Sequence, residues 1–311
     1  MRLEPLGPGA AEIDGLDLAR PLADPAALRC AFALHPILVF RRQQLTPPQF
    51  SAFARHFGAL ETYEAPPPGS APPVVALRET SARATPDQRL YACPDDSAVL
   101  LMTNETLPDL APLAVIDNAE TWHADGAHKP APYDAVALHV VRNPAAGGET
   151  EFCDLSALVA SLPAAAQAAL RKAVGVHHWS KTLNPRFAAS LDAAARAEGE
   201  RVAAAVPAMR HPLVCLDEPS GRPHLFLSPR FTLAIDGLAP ELSAALLEDL
   251  FAMMDDPRFV YAHIWREGDV AIWDNRRTNH RVKAYAAEDV RSRYRITVSG
   301  RGPMRPFAQA A

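Results

Sequence analysis

The stretch ETWHADGAHK, residues 120–129, sets His123, Asp125 and His128 close together. On an extended strand, positions i and i+2 project to one side, so His123 and Asp125 can reach a single ion. Two ligands do not hold a catalytic metal. His280, in WDNRRTNHRVKAY, follows an apolar strand candidate and lies far away in sequence, as a third ligand brought in by the fold would. Two histidines and one carboxylate occupy one face of an octahedral ion and leave the other face open, the arrangement of non-haem Fe(II) oxygenases. The tripeptide alone is equally compatible with a polar turn, and a lone histidine with a satisfied core residue.

A second group of residues suggests anion chemistry. In VRSRYRITVSG, Arg291, Arg293 and Arg295 alternate beside the apolar Ile296 and Val298. Burying such charges is costly unless each meets an anion, and the planar guanidinium fork matches a carboxylate. A solvated strand face carrying three arginines is the alternative.

These residues need a scaffold, and the pattern around them is strand-rich. HPILVFRRQ contains a short apolar run, Ile37 to Phe40, suited to a buried strand. VALHVVRN, GGETEFCD, HPLVCL, PHLFLS, FVYAHIWREGDVAIWDN and YRITVSG read likewise. TPPQFSAFARHFG reads as a helix with Thr46 as N-cap, prolines in the first turn and Gly58 as terminator. PAAAQAALRKA, residues 188–205 and APELSAALLEDLFAMM are further helices. No regular β-α-β alternation is present, which favours an antiparallel barrel or jelly roll. The expected fold is mainly β with peripheral helices, a double-stranded β-helix of cupin-like type, in one domain spanning 1–311. Residues 61–100 lack clean periodicity and contain EAPPPGSAPP, which predicts a variable lid loop; 180–208 reads as a helical insertion or lid.

The chain has 311 residues, 49% of them hydrophobic, and a formal net charge of -5. That balance gives no global attraction to nucleic acid or to an anionic membrane, so neither is expected as a partner. Cys30, Cys93, Cys153 and Cys215 are widely spaced and form no C-x-x-C pair, which argues against a zinc ribbon or disulfide framework. Without an apolar leader or a long apolar run, the expectation is a cytoplasmic protein.

Several collinear motifs make the resemblance specific. LGPGAAEIDGLDLARPL, ILVFRRQQLTPPQFSAFARHFGALE, TWHADGAHK, NPAAGGETEFCD, GRPHLFLSPRFT and WREGDVAIWDNRRTNHR together resemble the taurine/2,4-D dioxygenase (TauD/TfdA) family of Fe(II)- and 2-oxoglutarate-dependent oxygenases. The resemblance implies that His123, Asp125 and His280 bind Fe(II), with 2-oxoglutarate and O2 as cosubstrates. It implies that Arg291 and Thr150 hold the far carboxylate of 2-oxoglutarate, with Asn104 near cosubstrate or substrate. Arg295 matches an arginine that binds an acidic group on the primary substrate in several members. Family members that halogenate lack the carboxylate that Asp125 supplies, so hydroxylation or another C–H oxidation is implied. A metal-dependent hydrolase, which would not need Arg291 and Thr150, and a non-catalytic cupin-like binding protein, against which the intact triad speaks, are the alternatives.

The implied substrate is small and anionic or zwitterionic: a carboxylate, sulfonate or phosphorylated compound. Tyr63 stands near the place where taurine-oxidising members carry a substrate-contacting histidine, which argues against taurine. Arg293 occupies a position commonly apolar in the family, and strand parity turns it toward the interior with Arg291 and Arg295. His178, Lys181 and Leu183 fall in a segment that folds over the pocket by resemblance, and Phe231 is expected in its apolar wall. Trp122 and Trp273 are expected to pack. Asp274, Asn275 and Arg276 are expected to order the approach to His280, and His128 is no ligand once the triad is complete. A homo-oligomer is expected by family analogy.

Overall fold

Ile37, Leu38, Val39 and Phe40 are all inaccessible to solvent, because the sheet they enter is covered on both faces. A computed structural model describes residues 1–64, 88–116, 120–183, 193–286 and 288–308. In chain order the first half comprises β1 (Arg2–Gly7), β2 (Ala10–Asp14), α1 (Pro25–Leu34), β3 (Ile37–Phe40), α2 (Pro47–Ala54), β4 (Gln88–Cys93), β5 (Asp96–Thr103), β6 (Ala114–Ile116), β7 (Ala135–Arg142), β8 (Thr150–Asp154), α3 (Leu155–Ser161) and α4 (Ala164–Leu170). There follow β9 (Val174–His177), α5 (Ala193–Ala205), β10 (Met209–Pro212), β11 (Val214–Asp217), β12 (Arg222–Leu225), β13 (Thr232–Ile235), α6 (Pro240–Ala252), β14 (Val260–His263), β15 (Val270–Asp274), β16 (Thr278–Val282) and β17 (Ser292–Val298).

Nine strands form one sheet in the order β1-β2-β3-β15-β7-β17-β5-β4-β6; only the β2–β3 pairing is parallel. A three-stranded antiparallel sheet, β14-β8-β16, faces it. Side-chain parity divides the large sheet cleanly. Leu38, Phe40, Ile272, Ile296 and Val298 point outward and pack with Leu28 of α1 and Phe50 and Phe53 of α2. Ile37, Val39, Val136, Leu138, Val140 and Trp273 point inward and meet Phe152 and Tyr261 of the facing sheet. Since Ile296 and Val298 face out, Arg293, Arg295 and Thr297 face in. On the facing sheet His280 pairs with Phe152, so it turns to the same inner space.

α2 begins as expected: the Thr46 backbone N–H donates to Gln49 Oε1 at 2.9 Å, with prolines in the first turn. α5 occupies 193–205 of the expected 188–205 helix; residues 184–192 lie outside the described residues. The lid-loop expectation for 61–100 needs correction. Residues 88–93 and 96–103 are β4 and β5, an antiparallel pair inside the large sheet, with Tyr91, Val99 and Leu100 buried. The Pro-Asp-Asp turn between them and the polar residues upstream mask the alternation in sequence, whereas pairing to β17 supplies the order. Residues 65–87 of that expectation lie outside the described residues.

Among the described residues all four cysteines are unbridged thiols, Cys30 exposed and the others buried. No described helix is long and apolar enough to cross a membrane.

Candidate active site

His123 and His280 face each other across a single antiparallel bridge. His123 N–H donates to His280 O at 3.0 Å, His280 N–H donates to His123 O at 2.8 Å, and the two rings lie 4.1 Å apart. This bridge, and not a regular strand through residues 123–125, brings the two histidines together. Asp125 opens a turn, with Ala127 N–H donating to Ala124 O and Gly126 at φ 66°. A side chain at Gly126 meets the Tyr133 ring at 2.9 Å, so the turn needs glycine for both backbone and space. Asn275, at 0% exposure, fixes the turn from below. Its Oδ1 accepts from Asp125 N–H at 2.9 Å and its Nδ2 donates to Asp125 O at 2.8 Å and to Tyr133 O at 3.2 Å.

The three side chains converge. One ligand atom from each of His123, Asp125 and His280 lies within 4.8 Å of the others, the one such group of His, Cys, Asp or Glu among the described residues. His123 Nε2 is 3.9 Å from Asp125 Oδ1, and His280 Nε2 is 3.7 Å from Asp125 Oδ2. Ligands about 2.1 Å from one ion and cis to each other stand about 3 Å apart, so closing on a metal takes movements under about 1 Å. His123 Nδ1 donates to Thr121 O at 2.9 Å, which leaves Nε2 with its lone pair toward the site.

Electrostatics prepare the same donors. Burial, reinforced by His280 and by Arg230, holds His123 well below its ordinary pKa. Burial pushes His280 down to about 4, against the pull of Asp125. Burial opposes ionisation of Asp125, but Arg295, His280 and His123 outweigh it and hold the carboxyl well below its usual range. At neutral pH the site therefore presents two neutral imidazoles and one carboxylate, the donor set a divalent transition metal needs.

Beside the triad, Thr150 begins β8, is buried, and accepts from Trp265 Nε1 through its hydroxyl at 2.9 Å. Arg291 is fully buried; Nη1 donates to Gln88 Oε1 at 3.4 Å, while Nε and Nη2 find no hydrogen-bond partner among the described residues. Burial, against a Tyr285 contribution, lowers its pKa to about 10. Gly148 is the close neighbour of its stem, where an added Cβ stands 3.8 Å from Arg291 Cδ. Arg293 is fully buried as well, as strand parity requires. A register shift between Ser292 and Arg293 against β7 does not turn it out.

The remaining expected residues separate into those near the triad and those used elsewhere. Arg295 Nη2 stands 3.0 Å from Asp125 Oδ2, and Tyr63 and Tyr133 lie within electrostatic reach of it. Asn104 is committed to backbone: its Oδ1 accepts from Arg291 N–H at 3.0 Å and its Nδ2 donates to Asp289 O at 2.8 Å, so it positions Arg291. The Lys181 ammonium donates to Thr232 O and lies 4.7 Å from the Phe251 ring centre. Leu183 ends a short 3-10 helix, Trp179–Leu183, and its side chain lies outside the described residues. Phe231 packs with Ala124, Ala127 and Phe226, its ring 4.9 Å from that of His128.

Trp122 donates to Asp255 and stacks under Arg281, and Trp273 packs 4.9 Å from the His280 ring, both as supports. Of Asp274, Asn275 and Arg276, Asp274 pairs with Arg277 and Arg276 with Asp134, whereas Asn275 hydrogen-bonds the backbone of a ligand residue, Asp125 and not His280. Sequence reasoning missed Arg230, buried near both ligand histidines, and the Gln88 and Trp265 contacts to Arg291 and Thr150. Arg230 in SPRFT carried a readable signal: a charged residue in an otherwise apolar stretch.

The family model described as "Taurine catabolism dioxygenase TauD, TfdA family" matches residues 2–297. The chain belongs to the TauD/TfdA family. It is accordingly an Fe(II)- and 2-oxoglutarate-dependent dioxygenase with a 2-His-1-carboxylate triad. This TauD/TfdA member is 32% identical over 250 residues to the alpha-ketoglutarate-dependent 2,4-dichlorophenoxyacetate dioxygenase of Cupriavidus pinatubonensis, covering 80% of this chain and 79% of that protein. It is 28% identical over 276 residues to the (S)-phenoxypropionate/alpha-ketoglutarate-dioxygenase of Delftia acidovorans, covering 89% and 86%. Among solved structures, a taurine dioxygenase from Burkholderia xenovorans superposes with TM-score 0.74 at 27% identity, covering 99% of this chain and 92% of that one. AAD-2, crystallised with Mn(II) and N-oxalylglycine, shares the fold with TM-score 0.73 at 24% identity, covering 97% and 98%.

Proposed function

We propose that this enzyme hydroxylates a C–H bond of a small carboxylate on a double-stranded β-helix core, with Arg291 and Thr150 holding the cosubstrate and Arg295 orienting the substrate. The observation that carries the reading is the inner face of β17 and the residue before it. A fully buried guanidinium at 291 and a partly buried one at 295 serve the space where His123, Asp125 and His280 converge. Bound Fe(II), 2-oxoglutarate and O2 supply the oxidation that converts C–H to C–OH while the cosubstrate becomes succinate and CO2.

The protein's share is positioning. Arg291, held through its backbone by Asn104, offers Nε and Nη2 to the far carboxylate of the cosubstrate, and Trp265 fixes the Thr150 hydroxyl beside it. Arg295 neutralises Asp125 on one edge of its fork and turns its other edge to a substrate carboxylate, with Tyr63 and Tyr133 alongside. Two curated relatives are named for aryloxy carboxylates, which favours a carboxylate over a sulfonate or phosphorylated compound. The absence of a histidine at Tyr63 points the same way, against taurine. Residues 180–183 and 193–208, the described part of the expected helical lid, are proposed to lie toward the substrate end.

The test is succinate release measured with a panel of aryloxy, aliphatic and amino carboxylates, sulfonates and phosphate esters, using wild type and Arg295→Gln. The reading predicts stimulation by one or more carboxylates, with a raised KM in the variant. Stimulation by sulfonates alone, or an unchanged KM, contradicts it.

A further inference from the structure

We propose that Arg293 is a second guanidinium of the cosubstrate-carboxylate pocket, so that this end of the site is a two-cation receptor for a 2-oxo acid with an anionic far end. The proposal rests on the reading above that Arg291 and Thr150 receive the cosubstrate.

Arg293 has 0% exposure, and its Nε and Nη1 have no hydrogen-bond partner among the described residues. Only Nη2 is engaged, donating to Asn143 Oδ1 at 2.9 Å, and Asn143 is itself tied to Trp265 O at 3.1 Å. The guanidinium carbon lies 5.2 Å from the centre of the Trp265 ring, whose N–H donates to Thr150. Arg293 is thus joined through one side chain to the hydroxyl that serves the carboxylate, and Arg291 lies within electrostatic reach of it.

Buried arginines with a structural task look different in this molecule. Arg276 meets Asp134 at 2.7 Å; Arg277 meets Asp274 at 2.9 Å and Asp217 at 3.2 Å. Arg291 and Arg293 form no ion pair with a described carboxylate. Asp269, the acidic group whose field reaches Arg293, is already held by Arg41 at 2.5 Å and accepts from Arg266 N–H at 2.8 Å. Two neighbouring buried cations with four unpartnered nitrogens call for an anion with several acceptor lone pairs, which one carboxylate provides. Their mutual repulsion makes the ligand-free pocket costly, and a bound carboxylate relieves it.

Three readouts test this. The first is the melting temperature of the metal-free protein, with and without 2-oxoglutarate. The others are anaerobic Fe(II)-loaded titrations of 2-oxoglutarate and of 2-oxobutyrate, which lacks the far carboxylate. Arg293→Met is expected to melt higher than wild type when ligand-free, to lose ligand stabilisation, and to bind 2-oxoglutarate about tenfold or more weakly, the loss of a charge-assisted contact. Its 2-oxobutyrate affinity is expected to stay within about twofold, and Arg293→Lys is expected to keep most of the discrimination; Arg293→Gln replaces the Met variant if that does not fold. Unchanged 2-oxoglutarate affinity overturns the proposal. Equal weakening of both oxo acids also overturns it, by assigning Arg293 a packing role through Trp265. A wild type that binds neither oxo acid overturns the functional reading itself.

Discussion

Replacing Asn275 by alanine is expected to loosen the metal site without touching any metal ligand. The wild-type amide makes three hydrogen bonds at 2.8–3.2 Å, two of them to the backbone N–H and C=O of Asp125, at a position with 0% exposure. Alanine leaves those two part-buried backbone groups without partners, at about 1–3 kcal/mol each, so about 2–6 kcal/mol of stability is at stake. At roughly 2–4 °C per kcal/mol for chains of this order, melting should fall by about 4–24 °C. The second consequence is specific to the site. Asp125 sits in a turn beyond the His123–His280 bridge, and the Asn275 amide ties its backbone to the strand end that leads to His280. Losing such a support typically lowers metal affinity about 10–100-fold. Anaerobic Fe(II) titration, with thermal unfolding of the metal-free protein in parallel, separates the two effects. Fe(II) affinity within twofold of wild type, alongside the expected loss of stability, would refute the argument that Asn275 sets the carboxylate's position.

Gly126→Ala is expected to lose about 1–2 kcal/mol from its φ of 66° alone, with more from the 2.9 Å approach to Tyr133, and to weaken Fe(II) binding; unaltered metal affinity by titration contradicts this. Arg277→Met removes the partner of buried Asp274 and Asp217, and urea unfolding should show a loss of about 3–5 kcal/mol. A loss below about 1 kcal/mol speaks against that network. Burial pushes the pKa of His224 down to about 4, so between about pH 6.5 and pH 4 the unfolded chain takes up a proton that the folded chain refuses. Its contribution is therefore full above pH 6.5 and lost as pH falls, at about 1 kcal/mol per pH unit. Urea melts at pH 7, 6 and 5 should show a shallower acid slope in His224→Phe, and parallel slopes argue against it.

What was legible in the sequence follows from which contacts leave a pattern. Ile37 to Phe40 announce a strand covered on both faces because every side chain is apolar, and β17 reveals its inner face because Ile296 and Val298 fix the parity of its arginines. The His-x-Asp tripeptide was ambiguous by itself; its partnership with His280 came from the ordered family motifs. The expectation of a regular strand through His123 and Asp125 gave way to a bridge and a glycine turn held by Asn275. β4 and β5 were hidden because their order comes from pairing with β17 and β6, not from a periodic pattern. Asn104 and Lys181 carry polar groups suited to binding, yet both spend them on distant backbone carbonyls or amides, and such side-chain-to-backbone contacts leave no spacing to read.

In the proposed function three side chains hold Fe(II) and Arg291 anchors 2-oxoglutarate beside it. Adding Fe(II) and then 2-oxoglutarate without oxygen should produce the visible metal-to-cosubstrate charge-transfer absorption in wild type. That absorption should vanish in His280→Ala, and in Arg291→Ala it should need a far higher 2-oxoglutarate concentration. No absorption in the wild-type protein, or an absorption that His280→Ala leaves intact, contradicts the account.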